Sequence, residues 1–171
     1  GVYIGLNIDL KALGYNDTEI FYNTYRESMK NYEAMMKGDF DKGAVAITIY
    51  SNLGDPVYAP KGKSVVKLDA YSDISVWPKD RAEYNKLKAQ KVDELIALAA
   101  RVIPELKDPK NIIVKEGYTP RTIEHFTMNK GGVVYGFDLT PDQWEKAPNT
   151  TPVPNVLIAS NWTQALHVVG S

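Results

Sequence analysis

Few side chains in this sequence have the type and spacing that chemistry needs. Gly62-Lys63-Ser64 copies the end of a phosphate-binding loop. That pattern also needs a Gly where Val57 stands, and a helix after the Lys to aim backbone N–H groups at phosphate. Val65-Val66-Lys67-Leu68 follows instead and reads as a strand, so the glycine and lysine are expected in a hairpin turn. His125 and His167 are the only histidines, and no His-Glu-x-x-His spacing surrounds them, so no metal site is expected. Glu124 precedes His125, but adjacent helix residues point apart. A Gly-x-Ser-x-Gly elbow for a serine nucleophile is missing, and there is no Cys for a thiol nucleophile, a disulfide or a zinc-thiolate site. Asp39 and Asp41 lack the further oxygen ligands of a calcium loop and read as a solvated turn. Asn16-Asp17-Thr18, Asn149-Thr150-Thr151 and Asn161-Trp162-Thr163 match the glycosylation pattern and, with no secretory signal, are expected to be chance matches. Eleven Tyr and three Trp remain. They suit the wall of an apolar ligand cavity, where ring faces pack hydrocarbon and hydroxyls orient a polar end, or an ordinary core and rim. No catalytic residue and no metal ligand is expected in this chain.

Composition narrows the class of partner. The chain has 171 residues, with 20 basic and 21 acidic side chains, so 20 − 21 leaves a net charge of −1. That length makes one domain, or one and a part, and buries roughly 70% of the unfolded surface. The near-zero charge excludes a strong electrostatic footprint for nucleic acid or anionic lipid. No apolar run reaches the ~20 residues that span a bilayer, and a cytoplasmic setting is expected.

The elements that would position these aromatic residues follow from periodicity. Val2 to Leu10 alternates, with Val2, Ile4, Leu6, Ile8 and Leu10 on one face and Tyr3, Gly5, Asn7 and Asp9 on the other. A second short strand is expected over Thr18–Thr24, and a helix over Tyr25–Lys37 stopped by Gly38. Ala44–Ser51 reads as a central strand, and Ser64–Tyr71 as the next, with Val66, Leu68 and Ala70 inward. Pro78–Ile103 is the longest predicted helix, with Pro78 in its first turn and Pro104 marking its end. Lys88 and Lys91 fall inside its apolar arc and are expected to snorkel. Ile112–Lys115 reads as a strand, Thr119-Pro120 as a helix start, and Gly131–Gly136 as a short apolar strand or turn. Thr140–Trp144 reads as another short helix, and Pro148–Pro154 as a stiff linker. Val156-Leu157-Ile158-Ala159 has the wholly apolar character of a strand buried in a parallel sheet, with no βα partner for it in the chain. A chain that opens in a strand and closes without a cap is expected to be a piece of something longer.

Three collinear stretches carry a resemblance. They are Asp55-Pro56-Val57-Tyr58-Ala59-Pro60-Lys61-Gly62-Lys63-Ser64, then Tyr118-Thr119-Pro120-Arg121-Thr122 with Gly132-Val133-Val134-Tyr135-Gly136, then Asn155-Val156-Leu157-Ile158-Ala159-Ser160-Asn161-Trp162-Thr163. In this order they resemble the C-terminal half of phytoene dehydrogenase-like flavoproteins, which include carotenoid desaturases, carotenoid isomerases and retinol saturases. Tyr84 and Lys88 also fit the Tyr-x-x-x-Lys habit of that group.

The resemblance implies an α+β substrate domain: a mixed β-sheet of about five to six strands with helices packed on one side. Residues 1–147 would form that substrate-binding domain. Residues 148–171 would be the return strand and turn of an FAD-binding domain whose Gly-x-Gly-x-x-Gly lies outside this sequence. The implied function is the substrate-binding part of an FAD-dependent oxidoreductase of carotenoid-biosynthesis type, acting on a long apolar polyene or isoprenoid. FAD is expected with the full-length protein and not with this fragment. Peripheral membrane contact follows from a lipid-borne substrate, although no basic amphipathic helix supports it. Tyr3, Gly5, Asn7, Tyr118, Tyr135 and Gly136 are the expected substrate-cavity wall, and Ser160, Asn161, Trp162 and Thr163 the expected flavin-facing residues. The final motif departs from the family pattern, because Ser160 replaces a Gly and Gln164-Ala165-Leu166-His167 replaces Pro-Gly and its further glycines. Side chains there would crowd an approaching cofactor. The alternative is a non-catalytic apolar-ligand or protein-interaction module with a decayed flavin motif.

Overall fold

The computed structural model describes residues 1–54, 57–136, 147–160 and 162–163. It forms two compact units, Gly1–Arg121 and Thr122–Ser171. The functional division expected after residue 147 falls inside the second of them.

The first unit is built on five strands: β1 (Val2–Leu6), β2 (Glu19–Asn23), β3 (Ala44–Ile49), β4 (Ser64–Asp69) and β5 (Ile112–Gly117). Their order across the sheet is β2-β3-β4-β1-β5. The α+β class and the strand number are as expected. The pairing differs, because every neighbouring pair is antiparallel where a mixed sheet is expected. The connection from β4 to β5 explains this. It contains the long helix α2 (Arg81–Ala99; α1 is Ser28–Met36), and a helical crossover sets two strands parallel. β1 lies between those two strands, antiparallel to both, so the parallel pair never touches.

Alternation in the sequence decides which face of each strand is covered. Val2, Ile4 and Leu6 of β1, Val45, Ile47 and Ile49 of β3, and Val66 and Leu68 of β4 are buried. Leu95, Ile96, Leu98 and Ala99 of α2 and Met35 of α1 join them in one core. β1 is shorter than expected, ending at Leu6 beside a bulge between Gly5 and Leu6. Leu10 stays buried beyond the strand because its N–H donates to Ser64 Oγ at 2.9 Å.

At the start of α2 a side-chain cap prevails over a proline. Asp80 caps α2, its Oδ1 accepting from the N–H groups of Ala82 and Glu83 at 3.0 Å each, so Pro78 lies outside the helix. The helix ends at Ala99, ahead of Ile103, since the residue before a proline avoids helical torsions. Lys88 reaches Glu116 at 3.2 Å, but Lys91 holds Glu94 at 2.7 Å with its side chain only 14% exposed, a partly buried ion pair where snorkelling to water is expected. α1 begins three residues later than expected, because Asn31 holds both the N–H and the carbonyl of Tyr25 with its side-chain amide. Gly38, at φ 81°, ends the turn as expected.

A third helix, α3 (Pro120–Thr127), crosses the boundary between the units. In the second unit a tight turn follows at Lys130–Gly132. Isolated bridges join Thr150 to Leu157 and Ala147 to Thr163. The apolar run at 156–159 is therefore not a buried parallel strand here. It makes one antiparallel bridge, with Ile158 N–H donating to Asn149 O at 2.8 Å, and Leu157 is 73% exposed. A wholly apolar strand needs neighbours on both sides to bury it, and the described residues give it a single bridge on one side. The expected helix at Thr140–Trp144 lies outside the described residues.

Candidate functional site

The sheet of the first unit has one covered and one open face, and the open face collects its polar and aromatic groups. Strand register fixes the arrangement. Thr48, Lys67, Tyr3 and Glu116 form one row across β3, β4, β1 and β5. Val65, Gly5 and Val114 form the next row, and Phe21, Ala46 and Asp69 another. Phe21 is 71% exposed, and Tyr3 and Val114 are also exposed.

Lys67 is the centre of this face. Its Nζ pairs with Asp69 Oδ2 at 2.8 Å and sits 5.7 Å from the ring centroids of both Tyr3 and Tyr118. Those two rings are 5.8 Å apart. The Tyr118 hydroxyl donates to Asp69 Oδ1, so both carboxylate oxygens are engaged. Tyr118 follows β5 and must cross β1 to reach β4. It does so over Gly1, where a Cβ would collide with its ring. Gly5 gives the same kind of clearance, since a Cβ there would lie 2.9 Å from Val114 Cγ1. Tyr50, just after β3, stacks on Tyr58 at 5.6 Å.

The electrostatics hold Lys67 and Tyr118 each in one protonation state. Burial pulls the Lys67 pKa down, but the hydrogen bond and charge of Asp69, helped by Tyr3 and Tyr50, outweigh it and raise the pKa above its ordinary value. Burial, then the bond and charge of Asp69, push the Tyr118 phenol well above its usual range. Lys67 therefore stays an ammonium and Tyr118 a neutral phenol at physiological pH. Neither group can serve as a base there; they can bind and orient.

The chain matches no family model and no curated protein.

Of the expected cavity-wall residues, Tyr3, Gly5 and Tyr118 share the open face. Asn7 lies past the end of β1, where its Oδ1 accepts from Lys63 Nζ at 2.7 Å and its N–H donates to Asn111 O. Tyr135 and Gly136 belong to the second unit, Tyr135 exposed and Gly136 at φ 80°. Tyr84 and Lys88, the pair of the Tyr-x-x-x-Lys habit, fasten α2 to the region of β5: the Tyr84 and Thr119 hydroxyls are 2.9 Å apart. Lys67, Asp69 and Tyr50 were not among the expected site residues. The available signal was the Lys-x-Asp spacing on the outward side of β4, which alone reads as a solvated face.

Of the expected flavin-facing residues, Ser160, Trp162 and Thr163 are described, and they bond to one another in the second unit. Trp162 N–H donates to Ser160 Oγ at 3.2 Å, and the N–H and hydroxyl of Thr163 both donate to Ser160 O, at 3.3 and 2.8 Å. Trp162 Nε1 donates to Asn129 Oδ1 at 3.1 Å. A flavin cradle presents backbone N–H groups to the cofactor; the N–H groups of Trp162 and Thr163 are instead spent on Ser160 and do not fit one. Asn161 and His167 lie outside the described residues. His125 packs its ring edge-on to Phe126, and no metal-ligating cluster occurs among the described residues.

Proposed function

We propose that this chain is the substrate-binding part of a longer FAD-dependent oxidoreductase resembling phytoene dehydrogenase, acting on a long apolar polyene or isoprenoid. The observation that carries the reading is the open sheet face, where Tyr3, Phe21 and Val114 stand exposed beside Tyr118 while α1 and α2 cover the other side. Such a face is the wall that an elongated apolar ligand needs. Further support comes from the exposed apolar run at 156–158, which suits a strand completed by polypeptide outside this chain. Redox chemistry then belongs to a flavin held elsewhere, and these residues bind the ligand, orient it and keep water away. A cytoplasmic setting with contact to a lipid surface belongs to the same proposal. No described helix is long and apolar enough to cross a membrane.

The purified 171-residue chain is expected to bind the rigid hydrocarbon polyene 1,6-diphenylhexatriene saturably, read as fluorescence enhancement. It is expected to carry no flavin absorbance band through purification. Absence of saturable binding overturns the ligand-wall reading, and a retained flavin band overturns the placement of the cofactor outside this chain.

The N–H groups of Trp162 and Thr163, both bonded to Ser160, favour a second reading, a non-catalytic apolar-ligand or protein-interaction module with a decayed flavin motif. The coding sequence upstream of Gly1 separates the two. An in-frame Gly-x-Gly-x-x-Gly after a strand supports the enzyme, and a start codon at this point supports the module.

A further inference from the structure

We infer that the open sheet face selects an apolar ligand with a neutral oxygen acceptor, an alcohol or a carbonyl, over a pure hydrocarbon and over a carboxylate. The inference rests on the proposed reading of that face as a ligand wall and adds the chemistry of the ligand's polar end. Its basis is the unequal satisfaction of Lys67 and Asp69. An ammonium has three N–H donors and no acceptor. One donor of Lys67 is taken by Asp69 Oδ2 at 2.8 Å, and the two flanking rings, each 5.7 Å away, offer only π faces. Each Asp69 oxygen already accepts one bond, Oδ2 from Lys67 and Oδ1 from Tyr118, whereas Lys67 keeps two further N–H donors. The Lys67 side chain keeps 23% of its surface exposed to solvent, and water can complete its hydrogen bonds there.

A hydrocarbon lying across the sheet would displace that water and return nothing. Burying an ammonium with unmet donors is unfavourable, so the hydrocarbon binds more weakly than its shape allows. A carbonyl or hydroxyl oxygen placed at Lys67 restores the lost bond. A carboxylate would restore it too, but it would stand beside Asp69, whose charge already neutralises the lysine, and like charges at short range repel. The apolar row of Val65, Gly5 and Val114 borders Lys67 on one side and Phe21 with Ala46 on the other, so the remainder of the ligand has a surface to lie on.

The test uses the 171-residue chain loaded with 1,6-diphenylhexatriene at neutral pH and displaced by four probes sharing one isoprenoid skeleton: β-farnesene, farnesol, farnesal and farnesoic acid. Farnesol and farnesal are expected to displace the reporter at about tenfold lower concentration than β-farnesene and farnesoic acid. Lys67→Met should bring farnesal to the level of β-farnesene. Asp69→Asn keeps an acceptor for Tyr118 and frees the lysine charge, so farnesoic acid should become the strongest of the four, gaining about tenfold. Circular dichroism establishes that each variant is folded, and the Asp69→Asn reversal tests the inference even where Lys67→Met does not fold. Equal displacement by β-farnesene and farnesal in the parent chain, or no gain for farnesoic acid with Asp69→Asn, overturns the inference alone. Failure of the reporter to bind overturns the ligand-wall reading and takes the inference with it.

Discussion

Lys67, Asp69 and Tyr118 show how three residues with no catalytic spacing in the sequence become one unit. The carboxylate bridges an ammonium from β4 and a phenol from just after β5. Alternation along β4 was enough to place Lys67 and Asp69 outward, since Val66 and Leu68 must be inward. It was not enough to reveal Tyr118, because that contact spans 49 positions and depends on Gly1 having no side chain. The cluster also sets a pH dependence. The Tyr118 and Lys67 pKa values are both raised on folding, from ordinary values of 10.0 and 10.5. Raised groups bind protons more tightly in the folded state, so their stabilisation is present below the unfolded values and is lost as pH climbs past them. Stability is therefore expected to fall above about pH 10, with Tyr15, pushed up to about 12 by partial burial and Glu105, acting in the same direction. Urea unfolding at stepped pH checks this. Tyr118→Phe should cost about 1 kcal/mol at neutral pH and flatten the alkaline decline; an unchanged decline would remove Tyr118 from the explanation.

At the level of elements, the periodic segments were legible and their ends were not. β2, β3 and β4 lie within the expected ranges because burial of one face imposes a period of two. The boundaries of α2 turned on competition between two good starters. Pro78 suits a first turn, but Asp80 satisfies two otherwise orphaned N–H groups and prevails. Asp80→Ala is expected to destabilise the first unit by about 1 kcal/mol, read from the urea midpoint, whereas Pro78→Ala should leave it nearly unchanged. The segment at 156–159 shows the converse. Its composition announces a buried strand, and composition cannot supply the neighbours that would bury it.

For the molecule as a whole, the exposed apolar groups among the described residues include those of the open sheet face of the first unit and the 156–158 run of the second. Large exposed apolar patches mark places where something else binds. Leu157→Asp is expected to shift stability by less than about 0.5 kcal/mol, as for an exposed position. It should lower self-association in sedimentation velocity at high concentration. Unaltered self-association would assign any such tendency to another surface.

The place of β1 between β4 and β5 also bears on biosynthesis. The strand made first is the one that two later strands must flank, and its second partner is not complete until Gly117 has been made. During translation, β1 keeps a bare hydrogen-bonding edge while more than a hundred further residues are polymerised, a matter of seconds at ribosomal speed. A chaperone shielding that interval, or a pause placed after β5 has left the exit tunnel, is therefore expected to improve the yield of correctly paired sheet.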